Sequence, residues 1–523
     1  MSLPRLRSTR PVNGQIRFEP GLRIAVIGAG ISGVCSAAHL LRHGLRVTVF
    51  ERSEIEGGVW HFDERVCDDP SYPSEAPSVG DYHVSLQGQF AYRTLSAKPI
   101  LGEANIGTRE NPISVAPTTF SPPGPCYRGL RNNIPTTLMV SSLAPWPIDT
   151  PECIGQKGLE EYIQILSREH GVADVTAYNT RVDEVRKSSK RACWIIRTVS
   201  LQQAGQKRGT QLIRERLWEF DAVVVASGHY NLPRIPDIPG LRTWKDRFGD
   251  RVIHSKQYRG PEKYQGKNVL VIGGGVSSLD ICRELYGIAS ASYQSVRGGM
   301  YDLPASMLPP NTERVPEVAE FSFDADGDTP KLDLTDSKTI PGSVVFSTGR
   351  ILTHIHHVIV ATGYITSYPF LSQFHSDDID AGAAGNSLLV TSEGSMVHNL
   401  HKDIFYIEDP TLSFVGAPYH VATFSLFDFQ AQVVARVFSG DAQLPSRADM
   451  RKEYEARVKA KGLGRSLHSL HANAGELAYV NDLVSWMNED VVLSGATPMQ
   501  GHSNAWIERY WAMKEEMKKI RAS

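Results

Sequence analysis

Across 523 residues the chain has only six cysteines, Cys35, Cys67, Cys126, Cys153, Cys193 and Cys282, and no two are spaced C-x-x-C. That absence argues against a dithiol redox centre and against a cysteine-based zinc site, and no metal site is expected. Free thiols in a reducing compartment follow. No run approaches about 20 apolar residues, so no integral membrane segment is expected. Neither charge sign dominates: 55 Lys and Arg stand against 57 Asp and Glu, a net charge of −2. Nothing in that balance points to nucleic acid or an anionic membrane. The opening stretch MSLPRLRSTRPVNGQIRFEP has basic residues but no apolar stretch after them, which argues against a secretory signal. There is no N-x-[ST] sequon either, and a cytoplasmic location is the expectation. At 41% hydrophobic and 21% charged residues the composition is that of an ordinary globular protein. The length suits two or three domains.

What the chain does have is glycine in two informative places. LRIAVIGAGISGVCSAAHLLRHGLRVTVFE, residues 22–51, reads as strand, tight turn, helix, strand. Gly28, Gly30 and Gly33 form G-x-G-x-x-G between strand and helix, with Ala29, Ile31 and Ser32 in the gaps. The first glycine permits the turn, the second lets a pyrophosphate approach the backbone, and the third lets helix and strand pack closely. The helix N-terminus then faces the phosphates. Glu51 ends the next strand, 18 residues after Gly33, where a carboxylate accepts hydrogen bonds from a ribose diol. EGGVW follows, and Gly58, Val59 and Trp60 are candidates to pass beside a flat ligand. This combination favours FAD over NAD at the first loop.

KNVLVIGGGVSSLDICRELYG, residues 267–287, repeats the pattern as G-x-G-x-x-S, with Gly273, Gly275, Ser277 and Ser278. No acidic residue ends the following strand. Ser295 and Arg297 stand there instead, and a guanidinium fork suits a 2′-phosphate. NADPH is therefore the expected second dinucleotide.

The expected fold class is α/β, with two Rossmann-like dinucleotide-binding domains. The NADPH domain (245–345) is inserted into the FAD domain (22–244 and 346–440), and a helical segment (441–523) follows. The proline-rich stretch 62–126 reads as an irregular insertion, either a substrate lid or a surface elaboration. Leu159, Tyr162, Ile163 and Leu166 predict an amphipathic helix ending near Gly171. ACWIIRTVS, LWEFDAVVVASG and HHVIVATGY predict strands, and QAQVVARVFSG a helix.

GAGISG, GGVW, LRNNIPTTLM, SGHYNLPRIPDIPG, HSKQYR, IGGGVSSLD, VIVATGY and DPTLSFVGAPYH, in this order, resemble the flavin-containing monooxygenases, and the phrasing is similar to members common in fungi. The resemblance covers 22–60 and 127–440 and is weakest in 62–126 and 303–343. It implies a domain-junction fingerprint F-x-G-x-x-x-H-S-x-x-Y, matched by Phe248, His254, Ser255 and Tyr258. Asp250 stands at the fingerprint's glycine position and Gly249 precedes it. Baeyer–Villiger relatives usually carry tryptophan at the place of Tyr258, so the resemblance favours oxidation at a heteroatom. It implies that Asn133 is the active-site asparagine, since the family pattern sets that residue immediately before x-P, which sets Asn132 aside. FSLFDFQAQ matches the segment that begins a helix near the flavin ring.

The implied activity is oxygenation of a small organic substrate, such as a specialised metabolite, at nitrogen or sulfur. Molecular oxygen is the co-substrate, and NADPH-reduced FAD forms a C4a-hydroperoxide. The rival readings are a Baeyer–Villiger or carbon-hydroxylating monooxygenase on the same scaffold, and a flavoprotein that binds NADPH without productive oxygenation. Nothing in the sequence opposes a homodimer.

Overall fold

Residues 24–27 are apolar on both sides of their strand, which suits a position covered on both faces. In the computed structural model, which describes residues 14–81, 93–95, 105–113, 117–203, 211–323, 338–471, 474–494 and 497–522, that strand is central. Arg23–Ile27 pairs in parallel with Arg46–Phe50 on one side and Ala222–Val225 on the other. Thr176–Ala177 extends the sheet beyond Arg46–Phe50, and Leu412–Phe414, Phe405–Tyr406 and Leu400–His401 extend it beyond Ala222–Val225. The helix Ile31–Arg42 crosses between the first two strands and packs against the long helix Thr423–Ser439. Val34, Leu40, Leu426, Val433 and Val434 are all fully buried in the shared core. Each such side chain contributes roughly 1.5–3 kcal/mol. Gly440, at φ +83°, ends the long helix.

A second parallel sheet runs in the order Val252–His254, His357–Val360, Asn268–Ile272, Ala291–Ser295, Thr312–Val315. Its strand His357–Val360 comes from beyond residue 345, the expected edge of the inserted unit. Val358 and Ile359 pair with Leu270 and Val271, so the chain leaves this sheet only after Val360. A small antiparallel sheet, Val318–Ser322, Ser343–Phe346 and Ile351–Leu352, follows Thr312–Val315.

The stretch 62–126, expected to be irregular, contains strands. Arg93–Leu95 and Asn105–Ile113 join Gln211–Phe220, Trp194–Gln203 and Thr180–Lys187 in an antiparallel sheet. NIGTRENPI shows no clean alternation, because Gly107 and Pro112 interrupt it, and its partner lies far along the chain. Residues 82–92, 96–104 and 114–116 of that stretch lie outside the described residues. LWEFDAVVVASG divides at Asp221, whose carboxylate accepts from the Arg23 backbone amide (2.8 Å) and from its guanidinium (2.9 and 3.1 Å). That anchor turns the chain from the antiparallel sheet into the parallel one.

Beyond residue 440 come the helices Arg447–Lys461, Gly475–Ser494 and Asn504–Ala522. The last is fastened by the Trp506 indole, which donates to the Leu138 carbonyl at 3.0 Å, and by an Arg509–Glu152 ion pair at 2.8 Å. At its far end the Ser306 hydroxyl donates to the Ile520 carbonyl at 3.2 Å, which reaches the inserted unit. Among the described residues no helix is long and apolar enough to cross a membrane.

One buried polar cluster joins the two helices of the first unit. The Asp428 carboxylate meets His39 Nε2 at 2.8 Å and accepts from the Ser141 hydroxyl at 2.7 Å and the Ser142 amide at 3.1 Å. Burial raises its pKa, but the His39 ring and the serine donors outweigh burial and bring it down to about 2. The folded pKa lies below the unfolded one, so this stability is present above about pH 4 and fades as pH falls toward 2. Asp428→Ala should cost about 3–5 kcal/mol, because it leaves His39 buried without its partner. The thermal midpoint of the holoprotein should fall by several degrees at pH 7. An unchanged midpoint would show that the cluster is neutral to stability.

Candidate functional site

The two glycine loops are built on the same plan. The Gly28 amide donates to the Phe50 carbonyl at 2.8 Å, and the Gly273 amide donates to the Ser295 carbonyl at 2.9 Å. Each of these first glycines takes positive φ, +102° and +135°. A Cβ on Gly28 would lie 2.7 Å from the Ala226 carbonyl oxygen, and one on Gly273 would lie 2.3 Å from that of Ala361. Each helix then starts at an uncapped glycine, Gly30 or Gly275, with no acidic residue in its first turn. Uncapped amides at a helix start are donors for phosphate.

The third positions differ. A Cβ on Gly33 would sit 1.8 Å from the Gly28 carbonyl oxygen, so only glycine fits. Ser278 is fully buried; its hydroxyl donates to the Gly275 carbonyl and accepts from the Gln294 amide, both at 2.9 Å. A second loop presses on the first. The Gly57 amide donates to the Ala29 carbonyl at 3.2 Å, and a Cβ on Gly58 would lie 2.8 Å from the Gly30 Cα. The backbones cross with no room for a side chain. Glu51 accepts from the Ala29 amide at 2.7 Å and the Ser53 amide at 2.8 Å, and each oxygen keeps a lone pair for a further donor.

Both loops open onto one cleft of about 2450 Å³. Gly28, Gly30, Ile31, Ser32, Glu51, Gly58, Val59 and Trp60 line it on one side, and Gly273, Gly275, Ser277, Ser295 and Arg297 on the other. Ala29, Gly33 and Ser278 stand behind this surface and shape the turns. Ser295 gives its one hydroxyl proton to the Pro316 carbonyl at 2.8 Å, so it has none for a phosphate. Arg297 is exposed, and among the described residues nothing pairs with its guanidinium. The residues present fit a dinucleotide at each loop: uncapped amides for phosphates, a carboxylate at the first strand end and a free guanidinium beyond the second.

The neighbouring asparagines separate by environment. Asn132 is buried, donates to the Ile134 and Glu152 carbonyls at 2.7 Å each and accepts from the Ile154 amide at 2.6 Å. It holds the loop together. Asn133 is exposed to the cleft with its amide free of described partners. None of the six cysteines lines the cleft.

The fingerprint residues lie behind the cleft and hold the crossing. His254 is fully buried and touches both passages between the units. Its Nδ1 accepts from the Lys256 amide at 3.1 Å, and its Nε2 meets the Gly363 carbonyl at 3.1 Å. Burial, helped by the Lys256 charge, pushes its pKa down to about 3, so the ring is neutral with its proton on Nε2. Tyr258 is buried and donates to Glu284 at 2.8 Å, on the helix Val276–Leu285. Ser255 is buried beside it, and Phe248 ends the helix Leu241–Phe248 inside the core of the second unit. Gly249 takes φ +51° after that helix, and Asp250, in the turn, pairs with Lys263 at 2.7 Å. The turn thus closes with its glycine one position early.

Sequence reasoning missed the ion cluster beside this junction. Asp81, whose side chain is 5% exposed, receives Arg52 at 3.0 Å and Lys256 at 2.8 Å. Lys256 also donates to the Asn231 carbonyl at 2.6 Å. Burial raises the Asp81 pKa, yet the two cations hold the carboxyl well below the usual range. No local signal marks these partners, since they come from four distant segments. Glu476 was missed too. It is buried at the head of helix Thr423–Ser439, where the Ala422 amide donates to both its oxygens at 3.0 and 3.1 Å, and burial pushes it up to about 7.

The model of the family described as flavin-binding monooxygenase-like matches residues 124–307 and 335–494. That described as FAD dependent oxidoreductase matches 23–78. The first match runs into the C-terminal helices, past residue 440. The flavin-containing monooxygenase ustF2 of Aspergillus flavus is 42% identical over 94% of this chain and 97% of its own. The flavin-containing monooxygenase iboF of Amanita muscaria is 30% identical over 91% and 90%. Among solved structures, S-allyl-L-cysteine S-oxygenase from Allium sativum superposes with TM-score 0.66 at 24% identity, covering 98% of this chain and 96% of that one. Cyclohexanone monooxygenase shares the fold with TM-score 0.50 at 12% identity, over 92% and 100%.

Gly58→Ala places a methyl group at 2.8 Å from the Gly30 Cα and at positive φ. It should weaken FAD binding on the order of tenfold or more, read by titrating apoprotein with FAD and following flavin fluorescence. An unchanged FAD Kd would show that the crossing does not shape the site.

Proposed function

Because the chain belongs to the flavin-containing monooxygenases, whose members use FAD and NADPH, we propose that it transfers one oxygen atom to a soft nitrogen or sulfur centre of a small organic substrate. FAD is assigned to the Gly28–Gly33 loop with Glu51 and the Gly57–Gly58 crossing, and NADPH to the Gly273–Gly275 loop with Arg297. The observation that carries this reading is the shared cleft. Both loops open onto it, Asn133 presents a free amide to it, and no cysteine lines it.

Bound FAD, reduced by NADPH, supplies two electrons to dioxygen, so that one oxygen atom reaches the substrate and the other leaves as water. The protein positions, donates hydrogen bonds and excludes water. Asn133 donates its amide hydrogens to an oxygen held in the cleft. Arg297 reads the 2′-phosphate as a guanidinium fork. His254, neutral and clamped between Lys256 and Gly363, holds the nicotinamide unit against the flavin unit and takes no proton itself. Tyr258 acts as a brace on the helix Val276–Leu285 through Glu284. Oxidation at nitrogen or sulfur is supported by tyrosine, in place of tryptophan, at position 258.

Asn133→Ala should keep stoichiometric FAD and NADPH oxidation while product per NADPH falls about tenfold and hydrogen peroxide rises. A normal product yield would remove Asn133 from the active site. Arg297→Ala should raise the KM for NADPH on the order of tenfold or more and leave that for NADH nearly unchanged. Equal loss with both would show that Arg297 does not read the phosphate.

A further inference from the structure

At one end of the cleft the last helix, Asn504–Ala522, lies against the segment that leads into helix Thr423–Ser439. His420 is the hub of this wall. It is exposed to the cleft, takes φ +62°, and is held by the Ser469 hydroxyl at 2.9 Å from Nδ1. Its ring stacks on Tyr301 of the inserted unit, with centroids 4.7 Å apart, and meets His471 at 5.6 Å. Three more nitrogen groups gather around it. Arg465 lies over the Tyr419 ring at 4.6 Å, Lys514 over the Tyr510 ring at 5.2 Å, and Arg521 meets His471 Nε2 at 3.3 Å. Arg465, His471, Lys514 and Arg521 all line the cleft.

Among the described residues no carboxylate pairs with Arg465, Lys514 or Arg521. Two acids of the same helix are engaged elsewhere, Glu515 with Lys518 and Glu516 with Arg509. Glu476, whose charge reaches Lys514, is buried on the Ala422 amide. On the facing loop, Asp302 accepts from the Gly299 amide at 2.8 Å. The charge is felt locally: burial and then Arg465, His471 and Lys514 push His420 down to about 4. Burial lowers Lys514 as well; the buried Glu476 opposes that shift and Arg521 adds to it. Lys514 is half-buried and Arg465 is exposed to the cleft, so an anion set between them would offset the cost of burying the Lys514 charge and gain a second cation.

We propose that this wall binds a carboxylate of the substrate, so that the enzyme acts on carboxylate-bearing thioethers and amines. The inference rests on the monooxygenase reading above and specifies its substrate class. Lys514 and Arg465 supply the charge, and the His420–Tyr301 stack forms the floor beside them. The same cations disfavour an ammonium ion. An amine therefore binds as the free base, whose lone pair is the group that accepts oxygen. The competing anion is a phosphate of NADPH, and the KM for NADPH separates the two.

The test uses the holoenzyme and matched pairs: 3-(methylthio)propanoate, 4-(benzylthio)butanoate and S-benzyl-L-cysteine, each beside its methyl ester, with sulfoxide product measured. The acids should exceed the esters in kcat/KM on the order of tenfold or more. Lys514→Met and Arg465→Met should each pull that ratio toward one, mainly through KM, and Lys514→Arg should restore it. Esters that match acids in the wild-type enzyme would overturn this inference alone. So would a ratio that both Met variants leave intact, or a KM for NADPH that rises in step with them. Absence of oxygen transfer to every pair would overturn the sulfur reading and this inference with it.

Discussion

The buried Asp81 carboxylate between Arg52 and Lys256 is the constraint on which the two-unit arrangement depends. Arg52 directly follows Glu51 at the end of a strand of the first sheet. Lys256 follows His254, at the end of a strand of the second. One carboxylate therefore ties the strand end beside the first glycine loop to the junction of the inserted unit. Removing Asp81 would leave the Lys256 ammonium buried without its carboxylate, which costs far more than the intact cluster contributes. The geometry is thus enforced by the penalty for breaking it.

His254 adds a second tie of a different kind. It spans the outgoing passage at Val252–His254 and the returning passage at Gly363 with two neutral hydrogen bonds. Because the ring is neutral at any working pH, the tie does not loosen as pH changes through the range where an ordinary histidine titrates. A histidine at such a junction invites a reading as general base. Its burial and its two occupied nitrogens make it a brace.

The cleft follows from repetition. Each parallel sheet ends in a glycine turn braced on a neighbouring strand end, at Ala226 and at Ala361, and each turn feeds an uncapped helix. Two copies of one glycine-turn device facing a common cleft leave a space between them. The chain's later segments line that space. The helix Asn504–Ala522 brings cations to one end, and the loop around Asn132 presents Asn133. In the proposed reading, specificity resides in the late segments, while the repeated turns serve the cofactors.

Much of this was legible in the sequence because it is local. G-x-G-x-x-G between an apolar strand and a helix is a short-range pattern, and its steric logic is visible in Gly28 and Gly33. The strands at 23–27, 268–272 and 357–360 are continuous apolar runs, readable for the same reason. Other features were not legible because their partners are distant. Asn105–Ile113 is a strand only by virtue of Gln211–Phe220, and Asp81 is a pivot only because Arg52 and Lys256 converge on it. The strand His357–Val360 belongs to the second sheet by its pairing, which no local pattern announces. By itself, then, the sequence determined the two nucleotide turns and their family, since backbone conformation and close approach are set by which residues lack a Cβ. Only the tertiary structure decided which charges meet. Among the described residues it set Asn133 free and Asn132 bound, and it left Lys514 and Arg465 facing the cleft with no paired carboxylate, because burial and pairing are properties of packed segments.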